Sequence, residues 1–135
     1  MPTPYIFFDG TCRDAMTFYA SIFGGTPDLM PWSEAPEDTP EHVETDRIMH
    51  AYLAFPDGSG LMAADNPASI PGMPQQAVSI SHMVEDAKEG TRVFGLLAEG
   101  GQVLDSFEPK FFAEGFGMVV DKFGTSWMIH TPLTE

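Results

Sequence analysis

The chain has 135 residues, 43% of them hydrophobic, and a formal net charge of −14. That length suits one domain with a real core. Six Lys and Arg are too few to hold a phosphate backbone, which excludes nucleic acid as a partner, and no apolar run approaches the ~20 residues of a membrane helix.

"PYIFFDG" (4–10) is β-branched and aromatic and ends in a turn signal, so it predicts a strand. It carries no basic region or cleavage site of a signal peptide. "CRDAMTFYASIFGG" (12–25) spaces Ala15, Phe18, Tyr19 and Ile22 as one face of an amphipathic helix. Thr11 is its candidate N-cap and Gly24-Gly25 its stop. Cys12, the single cysteine, permits no internal disulfide and fits a reducing cytoplasm. A helix-start position could lower its pKa, although a small buried residue is the plainer reading.

A short strand covers 26–30. The acidic run "SEAPEDTPEHVETD" (33–46) reads as a solvated loop, without the ligand spacing of a calcium loop, and its His42 as solvated. "RIMHAYLAF" (47–55) and "GLMAAD" (60–65) form a hairpin through a two-residue Asp57-Gly58 turn. "NPASIPGMPQQ" (66–76) reads as a linker or lid. The order then repeats. There is a strand at 77–84, a helix at 85–101, a strand at 102–107, a loop through "EPKFFAEGFG", and a last hairpin from "MVVD" and "SWMIHT".

The two halves superpose by eye. A shift of 76 places Phe18 on Phe94 and Gly24-Gly25 on Gly100-Gly101. A shift of 66 places Gly58 on Gly124, Leu61 on Trp127 and Met62 on Met128. Each half is therefore β-α-β-β-β. The sequence predicts an α+β fold in one domain, with module one over about 3–66, a linker over 66–76 and module two over about 77–132. Each module covers one sheet face with its helix, and two such modules can set their sheets around a cleft.

"PYIFFDGTCRDAMTFYASIFGG", "IMHAYLAF", "LMAAD" and "EGFGMVVDKFGTSWMIH" resemble the PhnB-like branch of the vicinal oxygen chelate superfamily, which includes glyoxalase I, extradiol dioxygenases and bleomycin-binding proteins. The resemblance spans nearly the whole chain. It implies a curved sheet around a cleft, and homodimers that sometimes exchange halves, with the linker as hinge. It also implies a divalent metal held by His and Glu from the first and last strands of each half. Carried onto this chain, those ligand positions fall near Pro4, Met62, Ser79 and Met128. None of these side chains suits a hard or borderline divalent ion, so no metal ligand is assigned, although a divalent metal on other residues stays open. Members of this branch often carry the label 3-demethylubiquinone methyltransferase. No glycine-rich G-x-G loop between a strand and a helix supports it here.

With a two-residue turn at Asp57-Gly58, His50 falls opposite Asp65. That pair is the candidate catalytic constellation, a base or a two-ligand seed; a cross-strand hydrogen bond is the alternative, and a register slip of one residue would part them. His130 shares the face of Met128, whereas His82 has the opposite parity. Phe8, Tyr52, Met62, Ser79, Trp127, Met128 and His130 are the candidate ligand-binding residues, with Phe111, Phe112 and Phe116 as further lining. Two functions follow. One is a metal-free module binding a small, partly aromatic molecule. The other is a metal-dependent or acid/base lyase, isomerase or dioxygenase using His50, Asp65 and His130.

Overall fold

The computed structural model describes residues 2–34, 47–66 and 72–134. Most of the acidic segment, with His42, and the middle of the expected linker lie outside them. The chain divides into two compact units, Met1–Met73 and Pro74–Glu135, with the division inside the stretch read as a linker.

The first unit contains β1 (Tyr5–Phe8), α1 (Cys12–Phe23), β2 (Asp28–Pro31), β3 (Ile48–Ala54) and β4 (Gly60–Asp65). Its sheet runs β1-β4-β3-β2, with β1 parallel to β4 and the other pairs antiparallel. The helix forms on the expected face: Ala15, Met16, Tyr19 and Ile22 are buried and meet Ile6, Phe8, Ala51, Leu53, Leu61 and Ala63 in one core. The second unit repeats the plan with β5 (Ile80–Met83), α2 (Ala87–Ala98), β6 (Gln102–Lys110), β7 (Ala113–Val120) and β8 (Ser126–His130), in the order β5-β8-β7-β6. Val93, Phe94 and Leu97 of α2 are buried, as are Val119, Trp127 and Ile129 of its sheet. Among the described residues no helix is long and apolar enough to cross a membrane.

Two local readings need correction. The stretch 108–117, expected as a loop, lies almost wholly in the long β6–β7 pair. Its glycines are strand positions where another group approaches closely. A Cβ on Gly115 would collide with the Phe107 ring, and one on Gly117 would come within 2.7 Å of Phe94 and 2.8 Å of the Phe107 backbone. The β3–β4 hairpin also has one more loop residue than expected. Phe55 N–H donates to Ser59 O (2.9 Å), and Gly58 N–H donates to Phe55 O (3.0 Å) with Gly58 at φ +91°. This is a three-residue loop with glycine in the left-handed region. The β7–β8 hairpin repeats it through Asp121, Thr125 and Gly124 at φ +90°.

The extra residue moves the register by one, so that Tyr52 pairs with Met62 and Leu53 with Leu61. Asp65 consequently turns to the helix side. It is 1% exposed, and its carboxylate accepts from three backbone N–H groups: Gly10 (2.8 Å), Cys12 (3.0 Å) and Ile48 (2.8 Å). Thr11 makes no side-chain cap bond to α1; Asp65 satisfies the helix's first N–H instead.

Asp65→Ala leaves those three donors buried without an acceptor. Urea unfolding is expected to show a loss of roughly 3 kcal/mol or more, whereas His50→Ala on the open face should cost less than about 1 kcal/mol. A loss under about 1 kcal/mol for Asp65→Ala would contradict the role given to it.

Candidate functional site

Each sheet has one face under its helix and one open face, and strand alternation decides which side chains reach the open one. In the first unit, the register aligns Tyr5, Met62, Tyr52 and Asp28 in a row across all four strands. Phe7 extends this face along β1, stacked on Tyr5 with ring centroids 5.1 Å apart and 56% exposed. His50 and Met30 pair across β3 and β2. Tyr52 folds over Gly60, where a Cβ would sit 2.7 Å from its hydroxyl.

The second unit carries the equivalent row Ser81, Met128, Met118 and Asp105. The shifts of 76 and 66 map Tyr5 onto Ser81, Met62 onto Met128 and Tyr52 onto Met118, so the outward methionine is common to both faces while its neighbours differ. The next row is Met83, His130, Phe116 and Glu108. Ser79 joins Ser126 on this face by a 2.6 Å hydroxyl contact.

The polar groups are specifically oriented. Tyr5 Oη lies 3.1 Å from His50 Nδ1 and donates to it when that nitrogen carries no proton. Burial pushes the Tyr5 phenol above its ordinary range, and charge on Cys12 would push it the same way. His130 Nδ1–H donates to the carbonyl of Thr131 (2.9 Å). A carbonyl can only accept, so the neutral ring keeps its lone pair on Nε2, where the Ser81 hydroxyl donates at 3.1 Å.

Of the expected site residues, Tyr52, Met62 and His50 share the first open face, and Ser79, Met128 and His130 share the second. The others belong elsewhere. His50 and Asp65 occupy opposite faces of their sheet, so they form no catalytic pair; the one-residue shift in register separates them. Phe8 is 4% exposed on the helix side. Trp127 is fully buried there, and its Nε1–H donates to Asp121 Oδ2 at 2.9 Å. The strand neighbours of the two methionines are Tyr5 and Ser81 rather than Pro4 and Ser79. Tyr5, Phe7, Ser81, Met83 and Met118 were missed, although strand parity measured from Met62 and Met128 points to them.

The structure also allows a test of the divalent site that the resemblance implies. The corresponding positions present a phenol, a serine hydroxyl and two thioethers, which do not fit a hard divalent ion. Among the described residues no group of three or more His, Cys, Asp or Glu is placed to hold a metal.

Residues 2–130 match the family described as 3-demethylubiquinone-9 3-methyltransferase. The chain is similar to protein PA1353 from Pseudomonas aeruginosa, at 38% identity and a TM-score of 0.87 over 98% of this chain and 97% of that one. It is also similar to a Bacillus cereus PhnB protein titled a putative 3-demethylubiquinone-9 3-methyltransferase, at 27% identity and a TM-score of 0.73 over 96% and 98%. A glyoxylase/bleomycin resistance protein/dioxygenase domain from Frankia shares the fold, with 13% identity and a TM-score of 0.65 over 98% and 96%.

Cys12 is no reactive thiol. It is fully buried at the start of α1, and burial first, then the charge of Asp65, pushes its pKa from 9.0 up to about 12. The unfolded thiol ionises near 9 and the native one does not. The stabilisation from the protonated native thiol is therefore complete below pH 9 and lost as pH rises towards 12, by up to about 1.4 kcal/mol per unit. Cys12→Ala is expected to flatten that part of the stability–pH curve relative to the wild type; parallel curves would contradict the assignment.

Proposed function

The chain belongs to the family described as 3-demethylubiquinone-9 3-methyltransferase, in the PhnB-like branch of the glyoxalase and bleomycin-resistance fold, and on that premise we propose that it is a small-molecule-binding protein whose ligand lies on the open face of a unit's sheet. One observation carries the reading. At the duplicated positions Tyr5, Met62 and Tyr52, and again at Ser81, Met128 and Met118, the chain places aromatic, thioether and hydroxyl groups instead of metal-binding imidazoles and carboxylates. Thioethers and aromatic faces favour a planar or apolar molecule, and flexible Met side chains adapt to its outline. The Tyr5 hydroxyl on the first unit's face, and His130 Nε2 on the second's, each offer a directed polar contact of the kind that fixes orientation in such sites.

The reading does not include methyl transfer. The strand-to-helix connections are Asp9-Gly10-Thr11 and Val84-Glu85-Asp86, and neither has the glycine pattern of a nucleotide-like cofactor loop. It does include a cytoplasmic homodimer, supported by the resemblance and by the single buried cysteine.

Thermal-shift measurements with Zn(II), Ni(II), Mn(II) and Fe(II), set beside a panel of phenols and naphthols, test the proposal. The ions are expected to leave Tm unchanged, and at least one aromatic compound to raise it. Tyr52→Ala and Met62→Ala should each weaken that compound about tenfold, or roughly 1.4 kcal/mol. A large rise with one divalent ion at stoichiometric loading would overturn the reading.

A further inference from the structure

The second open face also collects soft donors around one oriented imidazole. Met83 is the β5 neighbour of His130, and Met128 lies two residues before His130 on β8. Met118 stands directly across from Met128 on β7. Strand geometry puts neighbouring Cβ atoms about 5 Å apart and residues two apart roughly 6.6 Å apart. Methionine reaches across such gaps with three rotatable bonds. Met83 is 59% exposed and unconstrained by the core.

His130 is held as ligating histidines usually are, with one ring N–H donated to a backbone carbonyl and the other nitrogen left to face the site. The exposed Ser81 hydroxyl is the hydrogen-bond partner of that nitrogen, and a serine rotor gives way to a stronger partner. The nearby acids of β6, Asp105 and Glu108, both hold Lys110, at 3.2 and 3.3 Å. Around His130 Nε2, β5 and β8 supply thioether sulfur and imidazole nitrogen, a donor set that selects soft monovalent ions over zinc, manganese or magnesium. The chain's net charge of −14 further favours a cation.

We propose that Met83, Met128 and His130 Nε2, with Met118 in reach, form a site for a soft monovalent metal ion of the Cu(I) type. The site lies wholly within the second unit and does not depend on the organic-ligand reading.

Ag(I) is a redox-inert probe for this site. The full chain, labelled at its methionine methyl groups, is titrated with Ag(I) in chloride-free buffer. A second titration with Cu(I) uses a competing chromophoric chelator under anaerobic conditions. The expected result is one ion per chain, with the methyl signals of Met83 and Met128 shifting on loading. Met83→Leu, Met128→Leu and His130→Asn should each weaken binding at least about tenfold. Met62→Leu, on the other unit, should leave binding unchanged, and so should Cys12→Ala, which removes the only thiol. The site is refuted if no ion is retained against the chelator, if the three substitutions leave affinity intact, or if binding disappears with Cys12→Ala. The leucine variants keep side-chain volume, and their far-ultraviolet circular dichroism separates loss of binding from loss of fold.

Discussion

The first half of the fold is held together at one carboxylate. Asp65 ends β4, and its two oxygens take the N–H groups of Gly10 and Cys12 at the β1–α1 connection and of Ile48 at the start of β3. A buried charge is tolerable only when hydrogen bonds replace its lost hydration, and here three backbone donors do so. One side chain thereby fixes the entry of the helix, the start of one strand and the end of another. Arg47 reinforces the same corner by donating to Asn66 O at 2.8 Å and pairing with Asp9 at 3.2 Å. Because Asp65 is committed inward, the alternation of β4 presents Met62 outward, and the composition of the open face follows.

The second half solves the same problem with different atoms. The position equivalent to Asp65 is Thr131, whose hydroxyl accepts from Gly115 N–H at 3.0 Å. The buried acid has moved to the hairpin, where Asp121 takes the N–H groups of Phe123 and Thr125 and the indole of Trp127. The duplication therefore preserves the backbone plan and the outward methionine at Met62 and Met128, while the neighbouring outward residues and the buried polar supports diverge.

The fold was legible because its signals are periodic. The helix faces, the glycine stops and the repeat itself all follow from spacing. The candidate site was less legible because it depends on a single-residue register. Asp57-Gly58 reads as a two-residue turn, and only the backbone bonds from Phe55 to Ser59 and Gly58 show that Pro56 belongs to the loop as well. That one residue turned Asp65 from a supposed partner of His50 into the support of the fold. Trp127 and Phe8 were placed at the site by their chemistry, when parity with Leu61 and Ile6 assigns them to the core. Gly115 and Gly117 read as loop residues because sequence alone cannot show that the Phe107 ring at the first, and the Phe94 ring and Phe107 backbone at the second, require their missing side chains.

A methionine-bearing open face serving as the functional surface, in place of an acid–histidine pair, has a direct spectroscopic consequence. The most direct test is methyl-resolved NMR of methionine-labelled protein during titration with a phenolic probe that stabilises it. Perturbations are expected at Met62 on the first open face or at Met118 and Met128 on the second, with Met16, fully buried on the inner side of the first helix, unmoved. Perturbations confined to Met16, or spread over methionines of neither open face, would contradict that role for the open face.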